Sequence, residues 1–150
     1  MSGAKTFLLD TNVVLHATRE KSAVGSAIDA QFGLSASRFR PAICEVTVAE
    51  LTAFALAGWG EKRIALLKRE IKRCLVIPIS TPGVHERWAE IQSVAKKNGV
   101  VIGHNDLWIA AVAFVAGFTV LTTDGDFGKL RRLGLVDAIL LNAQTGARLI

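Results

Sequence analysis

Five of the 13 acidic side chains in this 150-residue sequence stand where a fold has no structural need of a charge. Asp10 closes the apolar run Phe7-Leu8-Leu9, and Asp124 and Asp126 follow a second apolar run that ends at Leu121. Asp106 opens a long stretch without charge, and Glu50 lies at helical spacing from Val46, Ala53 and Phe54, interrupting an apparent core-facing stripe. A carboxylate among apolar neighbours costs several kcal/mol of desolvation unless it is paired or holds a cation. Taken singly, each acid has an ordinary explanation. Asp10, Asp124 and Asp126 suit helix caps or turns, Asp106 suits the positive end of a helix, and Glu50 can reach out to solvent or to a lysine. Their coincidence weighs against those explanations. Carboxylates brought together repel unless a divalent cation lies among them, and an all-oxygen ligand set suits Mg2+ or Mn2+ rather than zinc. Cys44 and Cys74 lie thirty positions apart with no Cys-x-x-Cys pair, so nothing in the sequence is spaced for zinc.

The elements that must carry these acids alternate along the chain. Thr6 to Leu9 reads as a buried strand running into a helix from Thr11, Ser22 to Phe32 as a second helix, and Gly33 to Arg40 as a loop leading to a strand at Ala42 and Ile43. Glu45 to Ala57 is helical and is stopped by Gly58 and Gly60. Trp59 to Cys74 is an amphipathic helix with Ile64, Leu67 and Ile71 on one face and Lys62, Arg63, Lys68, Arg69, Lys72 and Arg73 on the others. Leu75 to Ile79 reads as a strand, and Thr81-Pro82 as the hydroxyl cap and first residue of a helix running to Asn98-Gly99. Beyond the brief apolar Val100 to Ile102, a nearly all-apolar helix runs from Gly103-His104-Asn105 to Gly117 and must be buried on most sides. Thr119 to Leu121 is a central strand, Phe127 to Leu133 a short basic helix, and Ala138 to Leu141 a last strand. The alternation predicts an α/β domain spanning residues 1–150, with a mainly parallel sheet between helices. In such sheets ligands bind at the carboxyl ends of strands, which is where Asp10 and Asp124 fall.

Four strings carry a resemblance: Leu8-Leu9-Asp10-Thr11-Asn12-Val13-Val14-Leu15, Val46-Thr47-Val48-Ala49-Glu50-Leu51, Asn105-Asp106-Leu107-Trp108-Ile109-Ala110-Ala111 and Thr122-Thr123-Asp124-Gly125-Asp126-Phe127. In this order, spread over nearly the whole chain, they resemble the signature blocks of PIN-domain nucleases, in particular the VapC-type toxins of bacterial type II toxin–antitoxin modules. The resemblance implies a three-layer α/β/α sandwich. It implies that Asp10, Glu50, Asp106 and Asp124 are the acidic metal-binding quartet, with Asp126 an auxiliary acid, and that Thr11, Asn12 and Thr123 orient carboxylates and water. The implied activity is Mg2+- or Mn2+-dependent hydrolysis of RNA phosphodiesters, leaving a 5′-phosphate and a 3′-hydroxyl. The implied partners are a cognate antitoxin that covers the acidic pocket and a second copy of the chain. His104, two residues before Asp106, is not demanded by the motif.

Eighteen bases against 13 acids give a net charge of +5 and invite a polyanionic partner. The basic residues between Trp59 and Cys74 are the candidates for RNA-backbone contact, against the alternative of a merely solvated face. Trp59, Trp88 and Trp108 read as core or interface residues. The longest uncharged run, Leu107 to Thr123, falls short of a bilayer span, and no signal peptide is evident, so a cytoplasmic chain with reduced thiols is expected. Two other readings compete. A haloacid-dehalogenase-type phosphatase also places an Asp after its first strand but needs a second Asp where this chain has Asn12. A non-catalytic RNA-binding or scaffolding module on the same fold would tolerate changes at Glu50 and Asp106. Neither Gly-rich nucleotide-binding pattern occurs.

Overall fold

The computed structural model of the chain describes residues 6–35 and 40–150. Five short strands, β1 (Phe7–Leu9), β2 (Ala42–Cys44), β3 (Leu75–Ile77), β4 (Thr119–Thr122) and β5 (Ala138–Leu140), form one sheet in the order β3-β2-β1-β4-β5. Every pairing is parallel, with Leu8 opposite both Ala42 and Val120. Seven helices flank it: α1 (Thr11–Ala17), α2 (Ala23–Phe32), α3 (Glu45–Leu56), α4 (Glu61–Arg73), α5 (Val84–Lys97), α6 (His104–Ala116) and α7 (Gly125–Arg132).

Strand periodicity explains the three layers. Leu8, Cys44 and Val120 point to one face and pack with Ile91, Leu107 and Phe127 from α5, α6 and α7. Their neighbours Leu9, Ile43 and Leu121 point to the other face and pack with Val13, Ile28, Leu51 and Leu67 from α1 to α4. The strands are apolar except for Thr119 and Thr122 at the two ends of β4, as the sequence runs suggest.

Two local departures from the sequence expectation have physical causes. The helix after β3 begins at Val84, not at Thr81-Pro82. Gly83 at its cap position has φ of 92°, a left-handed conformation that suits glycine and folds Thr81 and Pro82 into the preceding turn, where the Thr81 hydroxyl donates to the Pro78 carbonyl. On α3, which is apolar nearly all round, the buried stripe is Thr47 and Leu51 flanked by Val48 and Ala55, while Ala53 and Phe54 face solvent. Glu50 therefore sits at the border of the core and does not interrupt it. Of the loop expected over Gly33 to Arg40, residues 36–39 lie outside the described residues.

α6 is the most deeply embedded helix: Leu107, Ile109 and Val112 are fully buried, each contributing roughly 1.5–3 kcal/mol by burial. Gly117, at φ of 75°, ends it with a left-handed turn. No helix among the described residues is long and apolar enough to cross a membrane. The burial of α6 yields a prediction. Ile109→Ala is expected to lower unfolding stability by about 2–5 kcal/mol with an unchanged urea m-value; a loss below about 1 kcal/mol in equilibrium denaturation would place α6 outside the core.

Candidate metal centre

β1 and β4 lie side by side, so the residues leaving their carboxyl ends are neighbours. Asp10 leaves β1, is 2% exposed, and caps α1: its Oδ1 accepts from the Thr11 amide at 2.8 Å. Its Oδ2 accepts from the Thr122 hydroxyl at 2.7 Å, and the Thr122 oxygen accepts in turn from the Asp124 amide at 2.9 Å. Thr122 thus ties the two strand ends together. Asp124 caps α7, with its Oδ1 accepting from the Asp126 amide at 2.9 Å. The capping role and the candidate role therefore coincide at Asp10 and at Asp124.

Glu50 reaches the cluster from α3. The single proton of the Thr11 hydroxyl goes to Glu50 Oε1 at 2.8 Å, so the Thr47 hydroxyl, 3.0 Å away, must be the donor to Thr11. Asp106 enters on the first turn of α6. One oxygen each from Asp106, Asp124 and Asp126 lies within 4.8 Å of the others, and Asp126 Oδ1 also meets Lys129 Nζ at 3.1 Å.

The electrostatics follow from this crowding. Burial pushes Asp10 up to about 6, against the lowering effect of its two hydrogen bonds and assisted by the charges of Asp124 and Glu50. Asp106 rises to about 7, first through burial and then through repulsion from Asp10, Asp124, Glu50 and Asp126. Of the five acids singled out by the sequence, Asp106, Asp124 and Asp126 come within common ligand distance, while Asp10, tied to Asp124 through Thr122, and Glu50 lie close enough to act on them through charge. Asp10 and Asp124 are held by neutral donors, and the only lysine or arginine paired to the cluster among the described residues is Lys129. An all-oxygen set, closely spaced and short of compensating cations, fits a hard divalent ion such as Mg2+ or Mn2+.

The other expected residues divide. Thr11 lies behind the carboxylates, whereas Asn12 and Thr123 stand on the rim of a cleft of about 440 Å3 that opens beside Asp124. Behind the acids the hydroxyls are Thr47 and Thr122, both fully buried, which the sequence reading passed over. A signal existed for each: Thr122 ends an apolar strand just before the acids, and Thr47 is one helical turn before Glu50. On α4, Lys68, Arg69 and Lys72 are exposed, and Lys62 meets Glu20 at 3.5 Å. Arg63 lies over the Trp59 ring at 3.7 Å, and Arg73 is bound to Glu70 and to Ser35, both at 2.7 Å. His104 is exposed and its ring packs edge-on against Trp88, which in turn lies 5.3 Å from Trp108. All three tryptophans are half-buried against the cores.

A parallel α/β/α sandwich with a carboxylate cluster at the ends of its central strands defines a class of metal-binding α/β proteins. The family model of the PIN domain matches residues 7–133, and the chain belongs to that family. Solved structures agree. Over 93% of this chain and 100% of the other, it is similar to VapBC-5 of Mycobacterium tuberculosis, a member of the VapBC family of toxin–antitoxin systems, at 28% identity and a TM-score of 0.69. It is similar to FitAcB from Neisseria gonorrhoeae at 29% identity and a TM-score of 0.71, over 89% and 96% of the two chains. In fold it also matches VapBC2 of Rickettsia felis, solved bound to a promoter DNA fragment, with 21% identity, a TM-score of 0.76, and 91% and 99% of the chains covered. These similarities accord with a toxin of the VapC type. Comparison with curated protein sequences finds no match.

The raised carboxyls set the pH response. Between the ordinary carboxyl range and about pH 6–7 the folded chain holds protons at Asp10 and Asp106 that the unfolded chain has released, so these groups favour folding at low pH and that contribution is lost as pH rises through 7. For buried Asp10 the shift from 3.8 to about 6 corresponds to about 3 kcal/mol. In EDTA, Asp10→Asn should therefore melt several degrees above the parent at about pH 7.5 and close to it near pH 4.5. Equal differences at both pH values would remove the repulsion argument.

Proposed function

We propose that the chain is a divalent-metal-dependent endoribonuclease, the toxin of a toxin–antitoxin pair, formed as a single PIN domain and held inactive by a cognate antitoxin. The observation that carries this reading is the gathering of Asp106, Asp124 and Asp126 within ligand distance beside Asp10 and Glu50, with Lys129 the one paired cation among the described residues, in a fold whose solved relatives include a member of the VapBC family of toxin–antitoxin systems. A second copy of the chain and a cytoplasmic setting belong to the same reading.

Asp106, Asp124 and Asp126, whose carboxylate oxygens lie within 4.8 Å of one another, would hold the ion, with Asp10 and Glu50 completing the acidic group beside it. When bound, Mg2+ or Mn2+ neutralises charge on the phosphate and acidifies a water for in-line attack on phosphorus. The protein's share is orientation. The Thr122 hydroxyl fixes one oxygen of Asp10 and the backbone of Asp124, so the two strand-end carboxylates keep one spacing. The Thr47 to Thr11 to Glu50 relay points the Glu50 oxygen back to the same centre and consumes the Thr11 proton, leaving Glu50 free to accept from a water with its other oxygen. The Thr11 and Thr122 hydroxyls are committed to Glu50 and Asp10, which leaves a water as the attacking group in this reading.

The purified chain is expected to cleave single-stranded RNA only with Mg2+ or Mn2+, leaving 5′-phosphate ends, and Asp106→Asn should lower the rate by about a hundredfold or more. Expression alone should arrest growth, and Asp106→Asn should relieve the arrest. Metal-independent cleavage, or toxicity that survives the substitution, would contradict the catalytic assignment.

A further inference from the structure

The cleft beside Asp124 continues away from the carboxylates along α1. Its walls are Asn12, Leu15, His16 and Arg19 on one side and Thr123, Asp124 and Gly125 on the other. Asn12 and His16 lie one turn apart on α1, and Arg19, two residues past the end of that helix, continues the same row along the cleft. Its far end is basic. Arg19 is exposed and enters no ion pair among the described residues, while the nearby Glu20 is engaged by Lys62 at 3.5 Å.

Other positive groups crowd the same end. Arg63 is fixed there from α4, its guanidinium lying over Trp59 at 3.7 Å and its Nε donating to the Thr18 hydroxyl at 3.4 Å. Partial burial and then the Arg19 charge lower both His16 and Arg63. Like charges gathered in this way raise the free energy of the empty cleft, and a polyanion relieves it. The cleft therefore has two unlike ends: carboxylates that need a cation, and a basic end that needs an anion.

We propose that the row Asn12, His16 and Arg19 is the lane that receives the phosphodiester backbone adjoining the scissile bond of a single-stranded RNA, with Arg19 contacting a phosphate and Arg63 reinforcing it. The inference rests on the endoribonuclease reading above and adds to it a substrate path. Sequence-selective RNA recognition favours unpaired strands, and Asn12 and Thr123 on the rim of the cleft offer polar groups to one. His16 and Asn12 are positioning groups here, since neither is among the metal-facing acids.

The test is fluorescence anisotropy of a labelled single-stranded RNA with the full chain in EDTA, which holds cleavage off, at about 50 to 200 mM salt. Each phosphate contact adds about 0.7 to the slope of log affinity against log salt on a single strand. Arg19→Ala is expected to make the slope shallower by about 0.7 and to weaken binding several-fold at the lowest salt. Arg19→Lys should restore the slope, and Arg131→Ala, at a separate surface beside Phe114 and Asp137, should leave it unchanged. Thermal melts of each variant exclude unfolding as the cause. An unchanged slope in Arg19→Ala while the chain still binds and cleaves RNA would overturn the lane and leave the nuclease reading standing. RNA affinity kept in Arg19→Ala while binding of an acidic polypeptide is lost would overturn it in favour of a protein partner. Failure of the parent chain to bind or cleave RNA would overturn both.

Discussion

The mutual repulsion of five carboxylates at the carboxyl ends of β1 and β4 is the constraint around which this structure is arranged. A chain of this size has a net stability of only about 5–15 kcal/mol, and gathering buried acids consumes a sizeable part of it. Neutral donors hold the group together: Thr122 and the Thr11 amide on Asp10, the Asp126 amide on Asp124, and the Thr47 to Thr11 relay on Glu50. None removes the charge. Burial first and repulsion after it raise the carboxyls of Asp10 and Asp106, and that cost is the energy a bound divalent ion recovers.

The rest of the fold can be understood as the scaffold that tolerates this strain. The parallel sheet places strand ends side by side, so acids more than 100 residues apart meet without a long loop. α6 carries Asp106 on its first turn while its remaining length is sealed among apolar side chains from both the sheet and α5. Anchoring a charged first turn by an immobile body keeps Asp106 in place against four like charges. α3 performs the same service for Glu50 with a narrower buried stripe, Thr47 and Leu51.

Much of this was legible in the sequence, and the reasons differ by element. Strand runs, the all-apolar α6 and the amphipathic α4 have a period that burial alone dictates, so their positions follow from hydrophobic pattern. The acids stood out because charge is expensive at such places. The buried face of α3 was not legible, since a helix apolar on nearly all sides gives no phase, and Glu50 reads in the sequence as interrupting the core-facing stripe where it in fact borders it. Thr47 and Thr122 were missed because a buried threonine at a strand end or in a helix has the same composition whether it fills space or orients a carboxylate; only the three-dimensional donor count separates the two. The start of α5 turned on the left-handed backbone at Gly83, which Thr81-Pro82 obscured.

Charge, too, has two parts. Removing the five clustered acids from the total of 13 leaves eight against 18 bases, so the surface around an acidic centre is strongly basic. That separation depends on the centre holding a cation. Anomalous diffraction from crystals grown with Mn2+ tests it most directly: a peak is expected about 2.0–2.2 Å from carboxylate oxygens of Asp106, Asp124 and Asp126. Crystals that bind Mn2+ elsewhere, with no peak among these carboxylates, would contradict the metal centre.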